Sequence, residues 1–245
     1  MDERLPKPRH RWYLSGKSSQ VLALGLLGVA RERDPALGWF FDALDLPRPT
    51  GTDVEVCFEH GLPPTLLNER PRVTAIDFLV AEPDGVVCVE AKWTERGMGG
   101  CSCARGKGVD KGDPGPGGHC SPRVLARPLY EEAARDLLGL PARESSAPCP
   151  LSFAYQVIRN VAAAVALAGA DRRPVFALLY DRDNPYFGGT GSWPGWPQVL
   201  AHTLSRSESK LIFRSCSWQE LVKRMPLDEA TAVWAREKHG LDSAD

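Results

Sequence analysis

Glu90 and Lys92 interrupt a run from Val86 to Trp93 that is otherwise apolar. Alternation along an extended chain puts both on one face with Val86 and Cys88, and turns Val87, Val89, Ala91 and Trp93 to the other. Burying an unpaired charge is costly, so two accounts compete. Either the two form a surface pair at the exposed end of the strand, or they belong to a built site. Asp77 weighs for the second account. It interrupts the apolar stretch Val73 to Val80 and precedes Glu90 across Glu82-Pro83-Asp84-Gly85, a strong turn signal. A hairpin brings the two carboxylates side by side, where they repel unless a cation lies between them. Oxygen ligands of this kind suit Mg2+ or Mn2+, which keep several waters and a substrate phosphate around the ion. A neighbouring lysine then stabilises charge developing on a scissile phosphate, or orients and helps deprotonate the attacking water.

Other polar residues stand within reach of that chemistry. Gln156, Arg159 and Asn160 fall at i, i+3 and i+4 opposite a stripe of Val157, Val161 and Val165, and form one polar face of a helix. That face is either solvated or functional. In the functional case Gln156 bonds a water of the metal shell or a phosphate, while Arg159 and Asn160 contact the backbone of DNA.

The elements that must position these groups follow from pattern. Ser18 caps a helix through Val21 to Leu27, and Leu37 to Leu44 forms a second helical piece. Asp53 to Glu59 alternates as a strand with one wetter face, and Val73 to Val80 with Val86 to Trp93 forms an antiparallel hairpin of central strands. Pro128 to Leu140 is expected to be helical, and Phe153 to Gly169 is the strongest helix in the sequence. Pro174 to Tyr180 is a buried strand. Trp196 to Ser205 then forms a helix, Lys210 to Arg214 a short strand, and Ser217 to Arg224 a helix with Glu220 at the capping-box position. The whole is one α/β domain over residues 18–245, a central mixed sheet flanked by helices, behind a basic leader at 1–17.

Residues 97–150 break this pattern. Gly, Cys, Lys, Arg and Pro crowd together there without an apolar period, so the segment cannot build a core of its own. Cys101, Cys103, Cys120 and Cys149 give it four soft ligands, enough for a structural tetrahedral Zn2+ or, alternatively, an iron-sulfur cluster; plain thiols are the other outcome. Cys57, Cys88 and Cys216 fall in strand-like runs and read as buried thiols. Lys107 and Lys111 belong to a local basic excess that either tracks phosphates or keeps the loop solvated. Tyr186, Trp193 and Trp196, among Gly and Pro, either stack on bases or pack around a surface loop.

The 245-residue chain is 43% apolar and 25% charged, which excludes disorder, collagen and a disulfide framework. Thirty basic against 31 acidic residues give a net charge of -1, so any nucleic-acid binding is local. The apolar stretch Val21 to Ala30 is too short to span a bilayer and no cleavage-site pattern follows it, so a cytoplasmic protein with no membrane partner is expected.

Asp77, a hairpin, then Glu90-Ala91-Lys92 resembles the PD-(D/E)xK nuclease superfamily, also called restriction-endonuclease-like. The order of helix, three strands, helix and strand over roughly Ser18 to Leu179 is similar as well. Ile76 stands where the name-giving proline would be. The resemblance implies a restriction-endonuclease-like core, Asp77 and Glu90 as metal ligands, Lys92 as the catalytic lysine, and Mg2+-dependent hydrolysis of DNA. It also implies a further acidic ligand upstream, with Glu55, Glu59 and Glu69 as candidates; Glu69 is preferred because it lies closest to the catalytic strand, and a solvated loop charge is the alternative. Some branches carry Gln followed four residues later by Tyr on the long helix; Gln156 keeps the spacing, with Asn160 in place of Tyr. A homodimer stays open, since a single centre cuts one strand at a time. Two other readings also stay open: a catalytically inactive DNA-binding or scaffold protein on the same fold, and a redox or sensing protein built on the cysteine metal.

Overall fold

The computed structural model describes residues 18–51, 53–67, 73–100, 154–206 and 210–242. Their centre is a five-stranded mixed sheet in the order β1 (Glu55–Gly61), β2 (Ala75–Glu82), β3 (Gly85–Ala91), β4 (Arg173–Tyr180), β5 (Ile212–Ser217). The first three strands are antiparallel and the last two run parallel to β3. The β2–β3 hairpin closes tightly, with Glu82 opposite Gly85, so only Pro83 and Asp84 form the turn. A Cβ on Gly85 would lie 2.8 Å from Glu82 Oε1, so a larger residue at that corner would have to displace the Glu82 side chain.

Every residue of β3 is buried, as an apolar strand in mid-sheet requires, and its alternation divides the core in two. Val86 and Cys88 face one cluster with Ile76, Leu79 and the long helix α3 (Tyr155–Ala168). Val87, Val89, Ala91 and Trp93 face the other, built on α1 (Ser19–Arg33) and α2 (Gly38–Ala43). Ser18 caps α1 as expected, its side chain accepting from the Val21 N–H. Beyond β4 come α4 (Pro185–Gly188) and α5 (Trp196–Leu204); beyond β5, α6 (Trp218–Val222) is capped by Ser217 Oγ on the Glu220 N–H. A final helix, α7 (Glu229–His239), lies against α1 and adds Ala235 to the second cluster.

The strongest helix in the sequence, α3, has no side-chain cap. Its first turn is instead satisfied by backbone carbonyls from the loop after β3: Gly99 O accepts from Tyr155 N at 3.1 Å and Met98 O from Gln156 N at 3.0 Å. Met98 is fully buried in the α3 cluster, so the start of the 97–150 segment is anchored in the core of the sheet domain. A methionine fills the irregular gap between a helix end and a sheet edge well. The four cysteines at 101, 103, 120 and 149, the 128–140 helix, the basic leader, Glu69, Lys107 and Lys111 lie outside the described residues. Of the other cysteines, Cys88 and Cys216 are buried and free and Cys57 is half-buried. Burial raises all three thiols, Cys216 to about 11, which keeps them inert. Among the described residues, no helix is long and apolar enough to cross a membrane.

Candidate active site

Lys92 stands one residue past the end of β3 and is still pinned by the sheet. Its N–H donates to Leu179 O at 2.8 Å, and its carbonyl accepts from Asp181 N at 3.2 Å and from the buried indole of Trp218 at 3.1 Å. With the backbone fixed on both sides, the side chain turns to the α3 face together with Glu90. The pair is not on the surface: each residue is only 3% exposed, and Lys92 Nζ lies 2.5 Å from Glu90 Oε1.

The polar face of α3 meets them. Gln156 Oε1 accepts from Lys92 Nζ at 3.0 Å, and Asn160 Nδ2 donates to the other oxygen of Glu90. The i, i+4 spacing of a helix thus sets one amide on the lysine and one on the glutamate. Asn160 is 2% exposed and engaged with Glu90, so it does not lie on an exposed face ready for DNA. Arg159 is half-buried, donating from Nε to Thr74 Oγ1 at 3.0 Å with its guanidinium 4.9 Å from the Tyr155 ring centroid, which ties α3 to the start of β2. The face turns inward because charges at the end of β3 need partners that the apolar core cannot supply.

Asp77 completes the cluster from β2. The β2–β3 ladder ends at Phe78 opposite Val89, and the Asp77 carboxylate takes the next backbone donor, accepting from Ala91 N at 2.8 Å. On its other side the β1–β2 register passes from Phe58–Phe78 to His60–Ile76, and Glu59 between them adopts φ of +47°. Burial first, then the negative charge of Glu90, push the Asp77 carboxyl well above the usual range; Lys92 and the Ala91 N–H oppose this, and Glu59 adds to it. Burial pulls the other way on Lys92, yet Glu90, Glu95 and Asp77 together hold its ammonium above the ordinary value. The lysine is therefore charged inside the fold.

Several positioning residues left little trace in the sequence. Glu95 bridges Trp93 N and Ser19 Oγ, joining the site to the start of α1. Asn184 donates to the carbonyls of Trp93 at 2.9 Å and Glu95 at 2.8 Å while capping α4; the Asn-Pro pair at 184–185 was its only signal. Gly99, at φ +67°, lies so close to Gln156 that a Cβ there would meet Oε1 at 2.5 Å. The buried Asn160 Oδ1 has no hydrogen-bond partner.

The donor set fits a hard cation. It offers two facing carboxylates and an orphaned amide oxygen, and one ammonium opposes two carboxylates. Among the described residues no group of three or more His, Cys, Asp or Glu could hold a metal by itself. That arrangement suits an ion which retains water and substrate ligands, as Mg2+ does, and not a closed structural site.

A mixed five-stranded sheet flanked by helices, with two carboxylates and a lysine gathered at the end of its central strands, is the α/β plan of a restriction-endonuclease-like protein. A family model described as "Restriction Endonuclease associating with ARP" matches residues 5–237, and the chain belongs to that family. No curated protein and no solved structure matches it.

Proposed function

We propose that the protein is a divalent-metal-dependent DNA nuclease with Asp77 and Glu90 as ion ligands and Lys92 and Gln156 as its other catalytic groups. The observation that carries this reading is the convergence of half-buried Asp77 and Gln156 on the buried pair Glu90 and Lys92, from three elements at the end of the central strands. A Mg2+ or Mn2+ ion between Asp77 and Glu90 would supply charge neutralisation at the scissile phosphate. Lys92 has three donors, and Glu90 and Gln156 take two. The third is left for a non-bridging phosphate oxygen, where the ammonium stabilises charge that grows during hydrolysis. Gln156 aims the lysine, and Asn160 holds Glu90 in the rotamer that faces Asp77. The family membership supports DNA as the substrate and makes ARP a proposed associate.

One observation favours a second reading. Both oxygens of Glu90 are already engaged, by Lys92 and Asn160, so the cluster can satisfy itself as a structural ion pair in an inactive DNA-binding protein. Incubation of supercoiled plasmid and linear DNA with purified protein in Mg2+ or Mn2+ separates the two. Ion-dependent cutting that is lost with Asp77→Asn supports the nuclease. Binding without cutting on every substrate supports the inactive module.

A further inference from the structure

The segment after β4 runs directly beside the site. Asp181 N bonds to Lys92 O, and Asn184 reaches the carbonyls of Trp93 and Glu95, so residues 181–184 are tied to the chain just past the lysine. The next residues form α4, with Phe187 fully buried beneath it as an anchor. Tyr186 points the opposite way. It is 42% exposed, and no other large hydrophobic side chain among the described residues is exposed.

The frame around Tyr186 is rigid. Trp193 donates from Nε1 to Tyr186 O at 2.9 Å, Thr190 and Trp193 exchange backbone hydrogen bonds, and Trp193 and Trp196 meet edge to face at 5.8 Å. Gly188 and Gly195 lie so close to the backbone of Arg182 and Phe187 that a Cβ would fall 1.8 and 2.2 Å from those carbonyl oxygens. Such packing fixes the backbone that carries the exposed ring before any ligand arrives, which lowers the ordering cost of binding. The same frame touches the site from a second side. A Cβ on Gly97 would lie 3.5 Å from Trp196 Nε1, while one on Gly99 would meet Gln156. Two residues of chain span at most about 7 Å. Trp196 of this frame and the amide that aims Lys92 thus lie against the same short stretch, Gly97 to Gly99.

We infer that Tyr186, on the α4–Trp193 frame that is tied to the chain just past Lys92, is a stacking platform for an unpaired base of the DNA whose backbone enters the site. The identity of the ligand rests on the nuclease reading above. Charge argues for a ring contact over a phosphate contact. Arg182 next to the platform faces Glu220 at 3.4 Å, and Asp183 is an exposed carboxylate, so the local field does not single out phosphate. An aromatic face accepts any base but requires that the base be out of the duplex. The substrate class this assigns is DNA with single-stranded character at the cleavage position: a single strand, a frayed end or a splayed junction.

The test reads binding alone. The full-length protein in EDTA, where no cutting interferes, is titrated by fluorescence anisotropy against a labelled single-stranded oligonucleotide and against the same sequence as a blunt duplex. The parent protein is expected to prefer the single strand. Tyr186→Ala is expected to raise the single-strand Kd by roughly five- to a hundredfold, the range of one base–aromatic stack, with Tyr186→Phe close to the parent. Circular dichroism confirms that both variants are folded. A Tyr186→Ala protein that binds the single strand as tightly as the parent overturns the inference. So does equal weakening on duplex and single strand, or a parent that binds neither. Failure of the nuclease reading looks different: binding with the expected Tyr186 dependence, and no ion-dependent cutting.

Discussion

Replacing Lys92 by Met removes one charge from a buried set of three and keeps the volume of the side chain. The ammonium is 3% exposed, is bonded to Glu90 and Gln156, and is raised above its ordinary value by Glu90, Glu95 and Asp77. Its loss leaves Glu90 buried with only Asn160 as donor, facing Asp77. Removing one partner of a buried pair costs about 3–5 kcal/mol, because the orphaned charge stays in the interior. For a chain of this length each kcal/mol lowers Tm by about 2–4 °C, so Lys92→Met in EDTA melts roughly 6–20 °C below the parent. The double variant Glu90→Gln/Lys92→Met removes both charges and recovers much of the loss, giving a coupling of about 2 kcal/mol or more by urea denaturation. Glu90→Gln alone costs less than Lys92→Met, since Asp77 and Glu95 still face the lysine. A Lys92→Met cost under about 1 kcal/mol with no coupling is the signature of an exposed pair and refutes the buried arrangement.

Asp77→Asn stabilises the protein in EDTA and abolishes cleavage in Mg2+. The folded state holds the Asp77 proton to higher pH than the unfolded chain does, so its contribution, present in acid, is lost as pH rises from about 3.9 through the raised folded value. Urea melts across that range show a steeper fall for the parent than for the variant; parallel profiles contradict the account. His239 behaves in the opposite sense. Burial, then Lys238, lower it to about 4, so its stabilisation is full above about pH 6.5 and shrinks as pH falls toward 4. His239→Phe, which keeps the ring packed against Trp93 and Trp234, flattens that acid limb; an unchanged limb by thermal melting removes His239 as its cause. Gly99→Ala forces a side chain onto a φ of +67° and into Gln156, at a cost of about 1–2 kcal/mol, and lowers kcat while DNA binding in EDTA is retained. Full activity in that variant argues that Gln156 does not aim the lysine.

The division of β3 into two faces was legible from alternation alone, and with it the shared side of Glu90, Lys92, Val86 and Cys88. The turn at Pro83-Asp84 was legible for the same local reason. The strand ends were less so: β1 and β2 each run two residues beyond the expected Glu59 and Val80, since His60 and Gly61 pair with Ile76 and Ala75, and pairing across the β2–β3 hairpin extends to Glu82 and Gly85. Helix α7 was missed because few of its residues are buried and no apolar period marks it. Its signal lay in its caps: Asp228 accepts from Thr231 N, and Gly240 turns left-handed at φ +65°. The Gln156–Asn160 face was legible as polar but not as inward, because its direction depends on charges at the end of β3, far away in sequence. The capping of α3 by the Met98 and Gly99 carbonyls leaves no side-chain trace.

The most direct measurement is plasmid and oligonucleotide cleavage by the parent protein in Mg2+ or Mn2+ beside an EDTA control and a Lys92→Met control shown to be folded at the assay temperature. The account predicts cutting that requires the ion and vanishes without the lysine. Cutting that persists in Lys92→Met, or DNA binding without cutting in any ion, would contradict it.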